Sequence, residues 1–368
     1  MIYLDNAATT MPKPSAVYAA VNEAMQSCAG VGRSGHAAAL RAAEIVHGCR
    51  VAAAKLFDTE PDRVVFTFNA THGLNMAIRT LVCPGDRVVV SGYEHNAVMR
   101  PLYAMGAKIV SARSKLFDDD DVLQSFGKAI TSETKAVICT HISNVFGNML
   151  PIEAIADLCS KRNIPLIIDA AQSAGCVELS LRRLGAAFIA MPGHKGLLGP
   201  QGTGLLLCGQ VPEPIMYGGT GSMSLDKAMP SFLPDRAEAG THHVSGIAGL
   251  WKGIEYVSAK GVKNIMAHER RLVHLFRLHT ADLPYVRGFF GRNQAGVVSF
   301  QLLHTDCEEA AIRLSEHEIA VRAGLHCAPL AHETVGTLEQ GTVRISFSAF
   351  NKPEEVLSLT EILRDWKN

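Results

Sequence analysis

Between residues 64 and 191, short apolar runs rich in Val, Ile and Phe recur: VVFTF (64–68), RVVVSG (87–92), KIVSA (108–112), AVICTHIS (136–143), PLIIDAA (165–171) and AAFIAM (186–191). Runs of this length, bounded by polar or glycine-bearing segments, predict strands. Between them apolar positions recur at helical spacing, as over 152–161. Alternating strand and helix predicts a mainly parallel sheet flanked by helices, an α/β fold whose ligands sit at the carboxyl ends of the strands.

From about Ser245 the pattern changes. Long helical stretches (245–258 and 262–280) precede VVSFQL (297–302), a helix over 307–317, the strand TVRISF (342–347) and a last helix after Pro353. This predicts a smaller α+β domain. With no Pro/Ser/Gly-rich tract between the halves, the boundary is expected at the helix containing Trp251. The expected division is a segment 1–12 packed on the small domain, a large domain 13–245, and a connecting helix with the small domain over 246–368.

Polar side chains gather at the predicted strand ends. Asp169 closes PLIID and Gln172 follows three residues later; AAFIAMP runs into Gly193, His194 and Lys195, with glycines at 196, 199, 202 and 204. Alone, a lysine after a strand is a solvated surface residue and a strand-end aspartate a turn residue. Together they are the two groups pyridoxal phosphate most needs: a carboxylate to keep the pyridine nitrogen protonated and an amine to form an imine. Thr71, after VVFTF, fits a helix N-cap that would turn amides and the helix dipole toward a phosphate. His95 and Asn144 repeat the strand-end placement.

Composition narrows the partners. Of 368 residues, 35 are Lys or Arg and 35 are Asp or Glu, so no net field favours nucleic acid or an anionic membrane, and the substrate is expected to be small. No apolar run approaches the roughly 20 residues of a membrane-spanning helix, and Asp5 and Asn6 fall where a secretory signal needs its apolar stretch. A cytoplasmic protein is expected. Nine cysteines, without one CxxC pair, predict reduced thiols rather than a disulfide framework or a metal site.

The motifs YLDNAAT, ATHGLN, Glu94-His95, SNVFG (143–147), DAAQSAG, GHKGLLGPQGTG, EAGT (238–241) and RAGLHCAP (322–329) span nearly the whole chain. As a set they resemble the class V aminotransferase family of fold-type I pyridoxal phosphate enzymes, and within it the cysteine desulfurases of the Suf and selenocysteine-lyase group. The resemblance implies that Lys195 forms the imine, Asp169 pairs with the ring nitrogen, His95 stacks on the ring and Gln172 contacts the phenolic oxygen. It implies that Thr71, His72 and His194 bind the phosphate, helped by Thr241 of a second subunit, hence a homodimer. Arg344 would grip the substrate carboxylate, with Asn144 near the substrate and Arg322 at the entrance. Cys327 would attack the sulfur of L-cysteine, leaving alanine and a persulfide for an acceptor protein or thiol, and serve iron–sulfur cluster assembly. A reactive cysteine needs an electropositive, partly exposed setting, expected here from His326 and Arg322.

Three positions depart from the family pattern: Pro192 replaces a hydroxyl residue, Leu325 the first histidine of RxGHHCA, and His72 an acidic residue. A selenocysteine lyase, an aminotransferase or β-lyase in which Cys327 is incidental, and a cofactor-free binding or sulfur-relay protein are the alternatives. HExx at 268, 317 and 332 lacks the second histidine of a zinc motif. A hydrolase elbow at AQSAG would explain Ser173 alone.

Overall fold

A computed structural model of the chain describes residues 1–31 and 34–366. Its central sheet has seven strands in the order Val64–Thr67, Gly204–Cys208, Phe188–Pro192, Leu166–Asp169, Thr134–Thr140, Arg87–Ser91 and Lys108–Ala112. All are parallel except Gly204–Cys208, which runs antiparallel to both neighbours. Sequence reading missed that strand, because GLLLC follows directly on the glycine run. Its three leucines are fully buried, as expected of a strand covered on both faces.

A second, four-stranded antiparallel sheet is built from Arg322–Gly324, Thr342–Ser346, Val297–Leu302 and Val286–Gly288. The chain start joins it: Ile2–Tyr3 pairs with Ile319–Ala320, Asp5 bridges Ser346, and the Asn6 amide donates to the Ser346 carbonyl at 2.9 Å. Trp251 lies within Val244–Lys260, which packs on Ser15–Ser27 and Ala37–Leu56 and is followed directly by Val262–Thr280. The latter helix packs on Pro353–Arg364.

Gly246, Gly249 and Gly253 share one face of Val244–Lys260. A Cβ on Gly253 would stand 2.2 Å from the Leu197 carbonyl oxygen, and one on Gly249 2.7 Å from Pro200. The bare helix face is therefore the seat on which the turn after Lys195 rests. Gly175 makes the matching approach from the other side: it has φ +92° and its Cβ would lie 2.2 Å from the Gly196 carbonyl oxygen.

These contacts set two principles against each other at Gly253. Helix propensity alone makes Gly→Ala stabilising by about 1 kcal/mol, whereas a methyl forced onto a carbonyl costs about 1–3 kcal/mol. Gly253→Ala is expected to destabilise the apoprotein in urea unfolding. A stabilised variant would refute the close seating.

Candidate active site

The carboxyl ends of the sheet strands open onto a cleft. It gathers Thr71, His95, Asn144, Asp169, Gln172, His194 and Lys195 from five separate segments. Asp169 ends its strand 2% exposed and accepts the Ala171 amide at 2.9 Å. Burial raises its pKa, opposed by that bond and by Lys195. Lys195 is partly open to the cleft. Desolvation and the Arg344 charge bring its amine down to about 8, against the pull of Asp169.

The turn carrying the lysine is clamped by its backbone. The His194 carbonyl accepts from the Thr10 amide (3.1 Å), the Thr9 hydroxyl (3.2 Å) and the Lys13 ammonium (3.0 Å). The Lys195 carbonyl accepts the Thr10 hydroxyl at 2.9 Å. Sequence reading missed Thr9, Thr10 and Lys13, because nothing local indicates that the chain start crosses this turn. The Gln172 amide likewise donates to the Ala7 carbonyl at 3.1 Å.

His95 caps Asn96–Ala104 by accepting the Ala97 amide on Nδ1 at 3.0 Å. Burial and then the Lys195 and Arg322 charges lower it to about 4, so the ring is neutral at pH 7. His194 is also lowered to about 4, chiefly by burial, and its buried Nδ1 has no partner. The cap expected at Thr71 belongs instead to Asn69, whose side chain accepts the His72 amide at 2.9 Å. The helix starts two residues earlier because Asn69 has the extended backbone a cap needs, and Thr71 lies inside the first turn. That turn still faces the cleft through Asn69, Ala70 and Thr71.

His72 and Thr241 line a neighbouring pocket beside Phe68 and His242. His72 stacks on Phe68 with ring centroids 4.8 Å apart. The loop bearing Thr241 is anchored by Glu238, which makes a bidentate pair with Arg50 at 2.8 Å and meets His242 at 2.7 Å. Within one chain, Thr241 does not line the Lys195 cleft.

Arg344, 1% exposed, reaches Asp5 at 2.6 Å and the Asn144 carbonyl at 3.1 Å, while its Nε has no partner. Arg322 stands opposite Arg344 across the strand pair, its guanidinium 3.7 Å from the Cys327 sulfur. Cys327 is exposed. His326 and Cys327 both adopt left-handed backbone, φ 50° and 57°. The loop is held by Asn144, whose amide donates to the His326 carbonyl at 2.8 Å, and by the Asn96 amide on the Cys327 carbonyl at 2.8 Å. His326 does not supply the positive charge expected of it. It is 3% exposed, tied through Nε2 to Thr342, and held neutral by burial and by Arg344. The cation beside the thiol is Arg322.

An amine poised near neutrality, a buried carboxylate and an amide-rich helix start define a cleft that can hold a flat anionic carbonyl compound. Among the described residues, no group of three or more His, Cys, Asp or Glu side chains is placed to hold a metal. This is the site architecture of a fold-type I enzyme.

The chain belongs to the class-V aminotransferase family, whose model matches residues 2–359. It is 32% identical over 378 residues to a probable cysteine desulfurase of Methanothermobacter thermautotrophicus, covering 99% of this chain and 94% of that one. A probable cysteine desulfurase of Pyrococcus abyssi is 32% identical over 382 residues, with the same coverage. Among solved structures, the apo cysteine desulfurase of Thermococcus onnurineus NA1 superposes with a TM-score of 0.91 at 31% identity, covering 99% of this chain and 94% of that one. An Escherichia coli cysteine desulfurase gives 0.86 at 26% identity with the same coverage.

Because only a neutral amine is nucleophilic, Lys195 should react with amine-labelling reagents at lower pH than ordinary lysines. Peptide mapping of the labelled apoprotein is expected to give half-maximal modification of Lys195 near pH 8, and of exposed lysines near the ordinary value of about 10.4. A midpoint for Lys195 at the ordinary value would remove its poised amine.

Proposed function

We propose that the chain is a cysteine desulfurase that binds pyridoxal phosphate in the Lys195 cleft, converts L-cysteine to L-alanine and carries the sulfur on Cys327. The observation that carries this reading is the exposed Cys327 thiol 3.7 Å from the Arg322 guanidinium, on a loop tied to Asn144 at the cleft wall. An aminotransferase needs no such thiol.

The residues present fit the cofactor. Asp169 offers a buried carboxylate for the ring nitrogen and Lys195 the amine. The first turn after Asn69, with Thr71 and the unpartnered His194 Nδ1, offers donors for the phosphate. Bound there, pyridoxal phosphate supplies the electron sink that lets an amino acid give up its Cα proton.

The chain's own groups do the rest. Lys195 Nζ, neutral in about half of molecules near pH 8, takes the Cα proton. His95 presents a neutral ring and so adds no charge beside the cofactor. Arg344 is the guanidinium for the substrate carboxylate, with Asp5 the anion it holds in the meantime. Arg322 sets a guanidinium 3.7 Å from the Cys327 sulfur, and that sulfur, as thiolate, attacks the substrate sulfur. The balance is HS–CH₂–R plus Cys327–S⁻ giving CH₃–R plus Cys327–S–S⁻, with no external oxidant or reductant. The exposed persulfide then passes to an acceptor thiol or protein. Since Thr241 lies outside its own chain's cleft, it is proposed to serve the phosphate of a second copy in a homodimer.

Reconstituted wild type and Cys327→Ala, fed L-cysteine, test the reading through alanine and sulfide. The variant is expected to keep the visible absorbance of the bound cofactor and lose about 100-fold or more of desulfuration, the scale of a missing catalytic group. Alanine formed at the wild-type rate would sink the nucleophile assignment. L-selenocysteine assayed alongside reports the preference between sulfur and selenium.

A further inference from the structure

His332 stands out in the sequence only as the start of an HExx run without its second histidine. In the structure it sits on the helix Pro329–Val335, just after the Cys327 turn, and is fully buried. Its ring lies against that of His326, with centroids 5.7 Å and planes 32° apart, and Phe146 packs on it at 5.8 Å. Its Nδ1 meets the Thr337 hydroxyl at 2.8 Å. Among the described residues, His332 Nε2 and His326 Nδ1 have no hydrogen-bond partner, and both are sealed from solvent. Buried polar atoms are rarely left unsatisfied. Here two of them lie on touching rings.

The bonds around His326 fix what kind of atom its Nδ1 is. Nε2 lies 3.1 Å from the Thr342 carbonyl and 3.0 Å from the Thr342 hydroxyl. A carbonyl only accepts, so Nε2 carries the proton. The Thr342 hydroxyl donates onward to Ser299 Oγ at 3.1 Å, which donates to the Val145 carbonyl at 2.7 Å. Burial, then the Arg344 charge and His332, hold the His326 ring neutral, and burial brings His332 down to about 4. His326 Nδ1 is therefore a bare lone pair. His332 has two neutral tautomers. With its proton on Nδ1, two buried lone pairs would be stranded on touching rings. With it on Nε2, the Thr337 hydroxyl donates to Nδ1 and the ring offers the donor that His326 lacks.

We infer that His332 is a positioning residue for the Cys327 nucleophile: its Nε2–H, directly or through one enclosed water, satisfies His326 Nδ1 and locks His326 in the tautomer that grips Thr342. The inference rests on the desulfurase reading for its consequence and on the ring pair for its geometry. A single directed chain then runs from Thr337 through His332, His326, Thr342 and Ser299 to the Val145 carbonyl. It ties the left-handed turn at 326 and 327 to two strands of the second sheet and to the 143–147 turn. Without the donor, the His326 ring gains by turning over or by moving its proton to Nδ1, and either change breaks the Thr342 bonds. His332 does not line the cofactor cleft. It acts through His326, not on the substrate.

Nitrogen-15 spectra of histidine-labelled apoprotein read the tautomers, and kinetics of the holoenzyme read their consequence. At neutral pH both His326 and His332 should show a protonated Nε2 and a bare Nδ1. His332→Phe, which keeps a flat ring without either nitrogen, should move the His326 signals. In the holoenzyme, His332→Phe should lower kcat for alanine formation from L-cysteine about tenfold or more and leave KM unchanged. Exchange of the Cα proton of L-alanine in deuterium oxide, which needs the cofactor and Lys195 but no thiol, should stay at the wild-type rate. His332→Gln, whose amide nitrogen takes the place of Nε2, should recover most of the loss. Should His332→Phe fail to fold, Thr337→Val, which frees His332 to change tautomer, carries the same expectations for the spectra and kcat. A proton on His332 Nδ1, His326 signals blind to the substitution, an undiminished kcat, or equal loss of both reactions would overturn the inference. If wild type makes no alanine from L-cysteine, the desulfurase reading fails, while the nitrogen spectra still decide whether His332 sets the tautomer of His326.

Discussion

Arg344 is a full positive charge, 1% exposed, in the middle of the second sheet, and it is tolerable only because Asp5 meets it at 2.6 Å and the Asn144 carbonyl at 3.1 Å. Removing one partner from a buried pair costs about 3–5 kcal/mol, because the other charge is stranded. Here the partners come from three distant parts of the chain. Satisfying one guanidinium therefore brings the chain start, the 143–147 turn and the last strand to one point. Once the chain start is held there, Thr9, Thr10 and Lys13 can reach the His194 and Lys195 carbonyls. The geometry of the lysine is thus inherited from a charge two segments away.

The same charge adds to what burial does to the protonation of the site. With Arg322 opposite it in register, it makes the region electropositive. Burial and then this charge bring the Lys195 amine down toward neutrality, and both His95 and His326 are kept neutral by burial and by these cations. Like charges opposed across a strand pair are ordinarily destabilising. That cost yields a region where the lysine amine is lowered toward neutrality and the Cys327 sulfur has a cation beside it, while the histidines stay neutral.

Apart from Gly204–Cys208, the strands of the large sheet were legible because each is a short apolar run between turn signals; KIVSA there and VVSFQL in the second sheet coincide with the observed strands residue for residue. The nearness of Asp169 and Lys195 was legible because Asp169 ends one strand and Lys195 follows the end of its neighbour, with Asp169 opposite Ala190. What sequence did not carry is long-range. Asp5 and Arg344 are 339 residues apart, and no spacing announces their bond. The cap at Asn69 was missed because Asn and Thr are both cap-forming residue types, and backbone geometry chose between them. His326 resembled a cation because a histidine beside a cysteine so often is one; burial made it neutral.

The loop bearing Cys327 limits how far its thiol can move. Two consecutive non-glycine residues in left-handed backbone cost of order 1–3 kcal/mol each. They persist because the His326 and Cys327 carbonyls are both tied to the large sheet's loops and the His326 ring is locked on Thr342. Any excursion of the thiol would break those bonds, in a region where His326 has no solvent to replace them. Cys327 is therefore held on a fixed turn rather than on a swinging arm. It is exposed where it stands, so on the proposed reading a sulfur acceptor comes to the thiol, and it meets Arg322 there together with the sulfur.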